Sequence, residues 1–126
     1  MNETTKIGNR GEDIACDYLK ERKYKILERN FLRKWGELDI IALSPDKTLV
    51  FVEVKTMKEN PSLRPEDNLT RAKLIKLKRT ASLYAGENEK LIIDKKGWRI
   101  DLIAILLSSD SEGERETFSV KHFENI

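Results

Sequence analysis

Apolar positions change their spacing along this chain, and each change predicts an element. Gly8-Asn9-Arg10-Gly11 reads as a turn-like opening. From Glu12 to about Arg22, Ile14, Ala15, Tyr18 and Leu19 recur at helical spacing, which predicts a helix. Lys25 to Phe31 reads as a short strand. Glu37–Leu43 and Leu49–Thr56 are rich in β-branched residues and are joined by a short loop containing Pro45 and Asp46, so they read as a hairpin. Met57 to Leu69 is polar, contains Pro61 and Pro65, and predicts a mobile loop. Thr70 then suits the N-cap of a helix running to Ala85, with Gly86 as its stop and Leu74, Leu77, Ala81 and Tyr84 as its buried stripe. Trp98–Leu107 is a further strand, Ser108 to Glu116 a polar loop, and Thr117–Phe123 a short last strand. The order α-β-β-β-α-β-β predicts an α/β fold, a mixed β-sheet flanked by helices. No repeat or linker interrupts residues 1–126, which are expected to form one domain with a core of its own.

The hairpin carries charges where buried strands are apolar. Asp39, Glu53 and Lys55 interrupt runs of Ile, Leu, Val and Phe. Side chains alternate between faces along a strand, so Leu49, Phe51, Glu53 and Lys55 share one face, as do Glu37, Asp39, Ile41 and Leu43. With Ser44–Thr48 as the loop, Leu43 faces Leu49, Ile41 faces Phe51, Asp39 faces Glu53 and Glu37 faces Lys55. Apolar pairs then lie near the turn and charged pairs near the open end, a segregation that a one-residue slip would scramble. Opposed residues have Cβ atoms roughly 4.5–5.5 Å apart. Two carboxylates at that spacing repel, so either one takes up a proton or a cation sits between them. Hard divalent ions such as Mg²⁺ commonly use one or two carboxylates plus water and phosphate oxygens. With the Lys55 ammonium alongside, the parts suit phosphodiester hydrolysis. The same spacing also suits an ordinary cross-strand ion pair, Glu37 or Glu53 with Lys55, with Asp39 solvated at a sheet edge. Spacing alone does not separate the two.

Composition narrows the classes. The chain is 39% hydrophobic and 37% charged, which suits a globular protein with a heavily charged surface. Its formal net charge is only +2, so any nucleic-acid-binding surface must come from local clustering. Cys16 is the one cysteine, which excludes an internal disulfide and a CxxC metal site and fits a reducing compartment. The N-terminus has no apolar stretch behind it, and no run approaches the length of a membrane span. The expected location is the cytoplasm, with no membrane partner.

Gly36-Glu37-Leu38-Asp39-Ile40-Ile41-Ala42, followed by Val50-Phe51-Val52-Glu53-Val54-Lys55-Thr56, resembles the YraN-type family of predicted endonucleases. These belong to the PD-(D/E)xK nuclease superfamily and are close to archaeal Holliday-junction resolvases. The likeness extends to Gly8-Asn9-Arg10-Gly11-Glu12 with Ala15 and Tyr18-Leu19, to Ile26-Leu27-Glu28-Arg29-Asn30, to Lys73, and to Arg99-Ile100-Asp101-Leu102-Ile103-Ala104, so it covers about residues 8–105. It implies a restriction-endonuclease-like core and a Mg²⁺- or Mn²⁺-dependent deoxyribonuclease. Asp39 and Glu53 are implied as metal ligands, Lys55 as the catalytic lysine and Glu12 as an accessory acid, with Glu37 beside the site. Leu38 stands where the superfamily label has proline, a residue that many members lack. Related resolvases are dimers, because a four-way junction is two-fold symmetric, so a homodimer is implied too.

Other residues carry two readings each. Glu12 shares a helix face with Ala15 and Leu19, which places a carboxylate on the inward stripe; it also fits a capping box with Asn9 as N-cap. Arg71, Lys73, Lys76, Lys78 and Arg79 give the second helix five basic residues, read either as a solvated face or as phosphate contacts, with Lys73, Arg71 and Lys76 the candidate nucleic-acid-binding residues. Trp35 can stack on a splayed base or pack on the sheet. His122, the lone histidine, gives little support to a His-based metal site. Cys16 reads as a packing residue. Asp101 either binds a backbone donor or touches the site. The leading expectation is a metal-dependent endonuclease acting on DNA, branched or single-stranded. The alternatives are a non-catalytic nucleic-acid-binding module that keeps the nuclease fold, and a protein-interaction domain whose acids are structural.

Overall fold

The computed structural model describes the backbone of residues 3–93, 95–110, 112–113 and 115–126, with side chains from Arg10 onward in those ranges. Helix α1 (Glu3–Glu21) leads into β1 (Lys25–Arg33), β2 (Gly36–Leu43) and β3 (Leu49–Lys58); α2 (Arg71–Glu87), β4 (Trp98–Ser109) and β5 (Glu116–Phe123) follow. The sheet runs β1-β2-β3-β4-β5 in space. Every neighbouring pair is antiparallel except β3 and β4, which are parallel. A parallel pair needs a long crossover, and α2 supplies it. The expected mixed α/β architecture is therefore present, with a strand order consistent with a restriction-endonuclease-like core.

The helices cover opposite faces of the sheet. Ala15, Cys16 and Leu19 of α1 pack on Ile40, Ala42, Val50, Val52, Ile103 and Ile105. Ala81, Tyr84 and Ala85 of α2 pack on Ile41, Leu49, Phe51 and Ile100. Both faces of β2 and β3 are thus buried, which explains why these strands read as near-continuous apolar runs. Phe51 meets Tyr84 and Trp98 edge-on, with ring centroids 5.6 and 5.5 Å apart. Burying such a side chain contributes about 1.5–3 kcal/mol. The predicted hairpin register is observed, with Leu43 opposite Leu49 and Ile41 opposite Phe51. The Ser44 N–H donates to the Thr48 carbonyl at 2.9 Å and closes the loop.

Three expectations need correction. The turn-like opening at Gly8–Gly11 is helical, inside α1. Gly11 is there because α1 lies so close to β3 that an added Cβ would fall 1.9 Å from Thr56 Oγ1. The helix α2 also does not stop at Gly86: it runs on to Glu87, and Asn88 caps it. The stretch Met57–Leu69 is not loop throughout, because β3 extends to Lys58 and Pro65–Asn68 form a 3-10 turn. The Thr70 cap is present, with its hydroxyl accepting the Lys73 N–H at 3.2 Å. Among the described residues no helix is long and apolar enough to cross a membrane.

Candidate active site

The site lies where the β2–β3 ladder ends. Its last pair is Ile40 with Val52. One step further, the register would bring Asp39 opposite Glu53, but the backbone ladder does not continue. The Asp39 side chain takes over: its Oδ2 accepts the Val54 N–H at 2.8 Å. A backbone N–H shielded from water needs an acceptor, and for this partly buried one a carboxylate supplies it. Residues from α1 and α2 meet at this end of the ladder. A cleft of about 310 Å³ forms there, lined by Glu12 from α1, Asp39 from β2, Glu53 and Lys55 from β3, and Lys73 from α2.

The Asp39 and Glu53 carboxyl groups lie within hydrogen-bonding reach of each other. Burial raises the pKa of both. For Asp39 the Val54 N–H and the bond to Glu53 offset part of the rise, while Glu37 adds to it. Glu53 is pushed up to about 8, by burial first and then by the Asp39 charge, with Lys73 pulling it back in part. Both shifts favour a proton shared by the pair. This is the protonation alternative that the hairpin spacing allowed, and a divalent cation is its natural substitute. Lys55 is exposed and makes no ion pair with Glu37 or Glu53, so the ordinary cross-strand bridge is not formed. The expected Glu37–Lys55 ladder pair is also absent; Glu37 pairs with Leu32 of β1.

Among the described residues, no group of three or more His, Cys, Asp or Glu side chains is arranged to hold a metal by itself. Two apposed carboxyls that face an open cleft instead fit an ion that keeps water and phosphate oxygens in its shell. That donor set suits Mg²⁺ or Mn²⁺ and not a fully caged Ca²⁺ or Zn²⁺.

Glu12 projects into the same cleft from the inward stripe of α1, beside the fully buried Ala15. Burial and the Asp39 charge raise its pKa, opposed by Arg29 and by a hydrogen bond from Asn30. The capping-box reading fails because the Asn9 backbone is helical. Asn30, with its amide nitrogen toward the carboxylate, donates to Glu12 Oε2 at 2.7 Å. The residue adopts a left-handed conformation, φ 52°, within β1. Sequence reasoning did not assign Arg29 and Asn30 to the site. The available signal was an Asn inside a predicted strand, a position where strand propensity is poor and left-handed backbone is tolerated.

Lys73, in the first turn of α2, lines this cleft and also a second one of about 260 Å³, shared with Glu37, Glu53, Lys76, Leu77 and Thr80. Arg71 is exposed and lines neither. Asp101 does not reach the site. It is fully buried and accepts from Arg99 Nε at 3.0 Å, His122 Nε2 at 2.7 Å and the Asn125 N–H at 2.9 Å. The lone histidine is thereby committed to a structural network. Cys16 is buried, as expected.

The residues that build this cleft fall within one stretch of likeness to other proteins. A family model described as "Uncharacterised protein family UPF0102" matches residues 11–105. A UPF0102 protein of Clostridium botulinum (strain Loch Maree) is 42% identical over 120 residues, which is 94% of this chain and 91% of that protein. One from Syntrophomonas wolfei is 44% identical over 101 residues, 80% of this chain and 84% of that protein. One from Campylobacter concisus is 40% identical over 99 residues, 79% and 82% of the two chains. From Gly11 against Thr56 to the parallel strand that ends the match, the chain belongs to UPF0102, the YraN family.

Proposed function

We propose that this chain is a metal-dependent endonuclease that hydrolyses phosphodiester bonds of DNA, with branched or single-stranded DNA as its substrate class. The observation that carries the reading is the apposed Asp39–Glu53 pair at the ladder's end, opening onto a cleft that also holds Lys55, Lys73 and Glu12. Asp39 and Glu53 would hold Mg²⁺ or Mn²⁺, which acidifies a bound water and offsets charge developing on phosphate. Lys55 orients the attacking water or a non-bridging phosphate oxygen. Lys73 holds a phosphate against the start of α2, with Lys76 and Arg71 as outer contacts. Glu12, a half-buried carboxyl lining the same cleft, would accept the water's proton. Attack on phosphorus breaks the P–O bond to one sugar and leaves a phosphate monoester on one end and a hydroxyl on the other. A homodimer in the cytoplasm would match the two-fold symmetry of a four-way junction.

The test is cleavage of branched, duplex and single-stranded DNA with Mg²⁺ and with Mn²⁺. Metal-dependent cleavage of the wild type, lost in Asp39→Ala and Glu53→Ala, is expected. Cleavage that survives equally in both variants contradicts the reading.

A further inference from the structure

The second cleft continues the first, because Glu53 and Lys73 line both. Its far wall is Thr80, against which Gly36 packs so closely that an added Cβ would fall 2.2 Å from the Thr80 hydroxyl. Lys34 and Trp35 immediately precede Gly36 in the turn between β1 and β2. Trp35 is 40% exposed, and Leu32 before it is 68% exposed. A large aromatic left in solvent on a turn adds nothing to the core clusters of this fold. The two walls differ chemically. The α2 wall is basic, with Lys73 and Lys76, while the β2 wall carries the exposed Glu37, two residues after Trp35.

We propose that this groove is a single-strand subsite, in which the phosphates of a nucleic-acid strand track Lys73 and Lys76 while its bases face Glu37 and one base stacks on Trp35. This deepens the nuclease reading and rests on it for the position of the scissile phosphate. The polarity follows from charge: phosphates are repelled by Glu37 and drawn to α2, whereas base edges offer N–H donors to a carboxylate and π-faces to an indole. Distance sets the register. Lys73 to Thr80 spans seven residues, about 10 Å along the helix axis. At about 3.4 Å per nucleotide of a stacked strand, the stacked base lies about three nucleotides from the phosphate held at Lys73. A base in a continuous duplex cannot offer its face to Trp35, so the groove selects a single-stranded or unpaired segment.

The experiment is equilibrium binding in EDTA of a labelled short single-stranded oligonucleotide and of the matching duplex, to wild type, Trp35→Ala and Trp35→Phe. Loss of one stacking platform weakens single-strand binding on the order of 10- to 100-fold in Trp35→Ala. Trp35→Phe keeps most of the affinity, and duplex affinity is the same in all three proteins. Wild-type tryptophan fluorescence is quenched by the strand, and Trp35→Phe, which retains Trp98, loses that quenching. Unchanged single-strand affinity in Trp35→Ala overturns the subsite. So does an equal loss for strand and duplex, or a wild type that binds no single strand. Binding is read without catalytic metal, so failure of the nuclease reading leaves this result standing. A failed stacking result likewise leaves the Asp39- and Glu53-dependence of cleavage untouched.

Discussion

Replacing Glu53 by glutamine stabilises the metal-free protein in alkaline solution while removing the cleavage assigned to it. In the unfolded chain the Glu53 carboxyl releases its proton near 4.5, whereas in the fold it keeps it up to about 8. Between those values the folded state binds more protons than the unfolded state, so stability falls as pH rises, and it levels off above about 8. The interval from 4.5 to about 8, at ~1.4 kcal/mol per unit, sets a ceiling of about 5 kcal/mol. Because the proton is shared with Asp39 and the cleft admits water, ~2–3 kcal/mol is expected. The glutamine side chain cannot ionise and is nearly isosteric, so the variant escapes this loss. In EDTA, Glu53→Gln then melts some 5–10 °C above wild type at pH values above about 8, and the two proteins converge below about pH 4. Thermal melts across that range decide the matter. A stability difference that does not vary with pH, or a variant less stable than wild type in alkali, means that the pair does not hold its proton and that the electrostatics assigned to the site are wrong.

Gly11→Ala brings a methyl group onto Thr56 and is expected to cost ~1–2 kcal/mol in urea denaturation, despite alanine's better helix propensity. Adding Thr56→Ala removes the clashing hydroxyl, so the double variant loses less than the sum of the singles; additive losses would mean that α1 does not approach β3 so closely. Asp101→Asn leaves Arg99 and His122 without their buried anion and costs ~3 kcal/mol. Burial raises the Asp101 pKa, but hydrogen bonds from His122, Arg99 and Asn125 outweigh it and leave it below the ordinary value. Its stabilisation is therefore present above the unfolded pKa and is lost as pH falls through the folded one, so wild type loses more stability on acidification than Asp101→Asn. Equal acid sensitivity of the two proteins would count against that network. Lys76→Gln lowers the salt dependence of DNA binding by about one ion, read from the slope of log affinity against log salt, and an unchanged slope removes Lys76 from the phosphate path.

The hairpin was legible in the sequence because strand alternation and loop length fix register: Leu43–Leu49 and Ile41–Phe51 pair as the apolar pattern required. Extending that register by one pair puts Asp39 and Glu53 at one place, and both line the same cleft although the ladder itself ends one pair earlier. What the pattern could not show is that the backbone ladder stops there, since this depends on the Asp39 side chain capturing the Val54 N–H. The helix through Gly8–Gly11 was hidden for a related reason. Glycine signals backbone freedom locally, but at Gly11 it serves a close approach to Thr56, far along the chain on β3. Asp101 is ambiguous in the sequence because two of its partners, His122 and Asn125, come from β5 and the C-terminal residues, contacts that one strand's sequence does not encode. The role of Asn30 depends on Glu12 lying across from it, a contact its own strand does not encode.

Titration with Mn²⁺, followed by calorimetry in buffers of different ionisation enthalpy, bears most directly on whether Asp39 and Glu53 form a metal centre. Near neutral pH a cation at the pair must displace the proton that both pKa shifts favour there, so binding is accompanied by proton release and a buffer-dependent heat. Wild type is expected to bind Mn²⁺ with that release, and Asp39→Ala and Glu53→Ala to lose both the binding and the proton. Mn²⁺ uptake that is unchanged in either variant, or no uptake by wild type, contradicts a metal centre at the end of the hairpin.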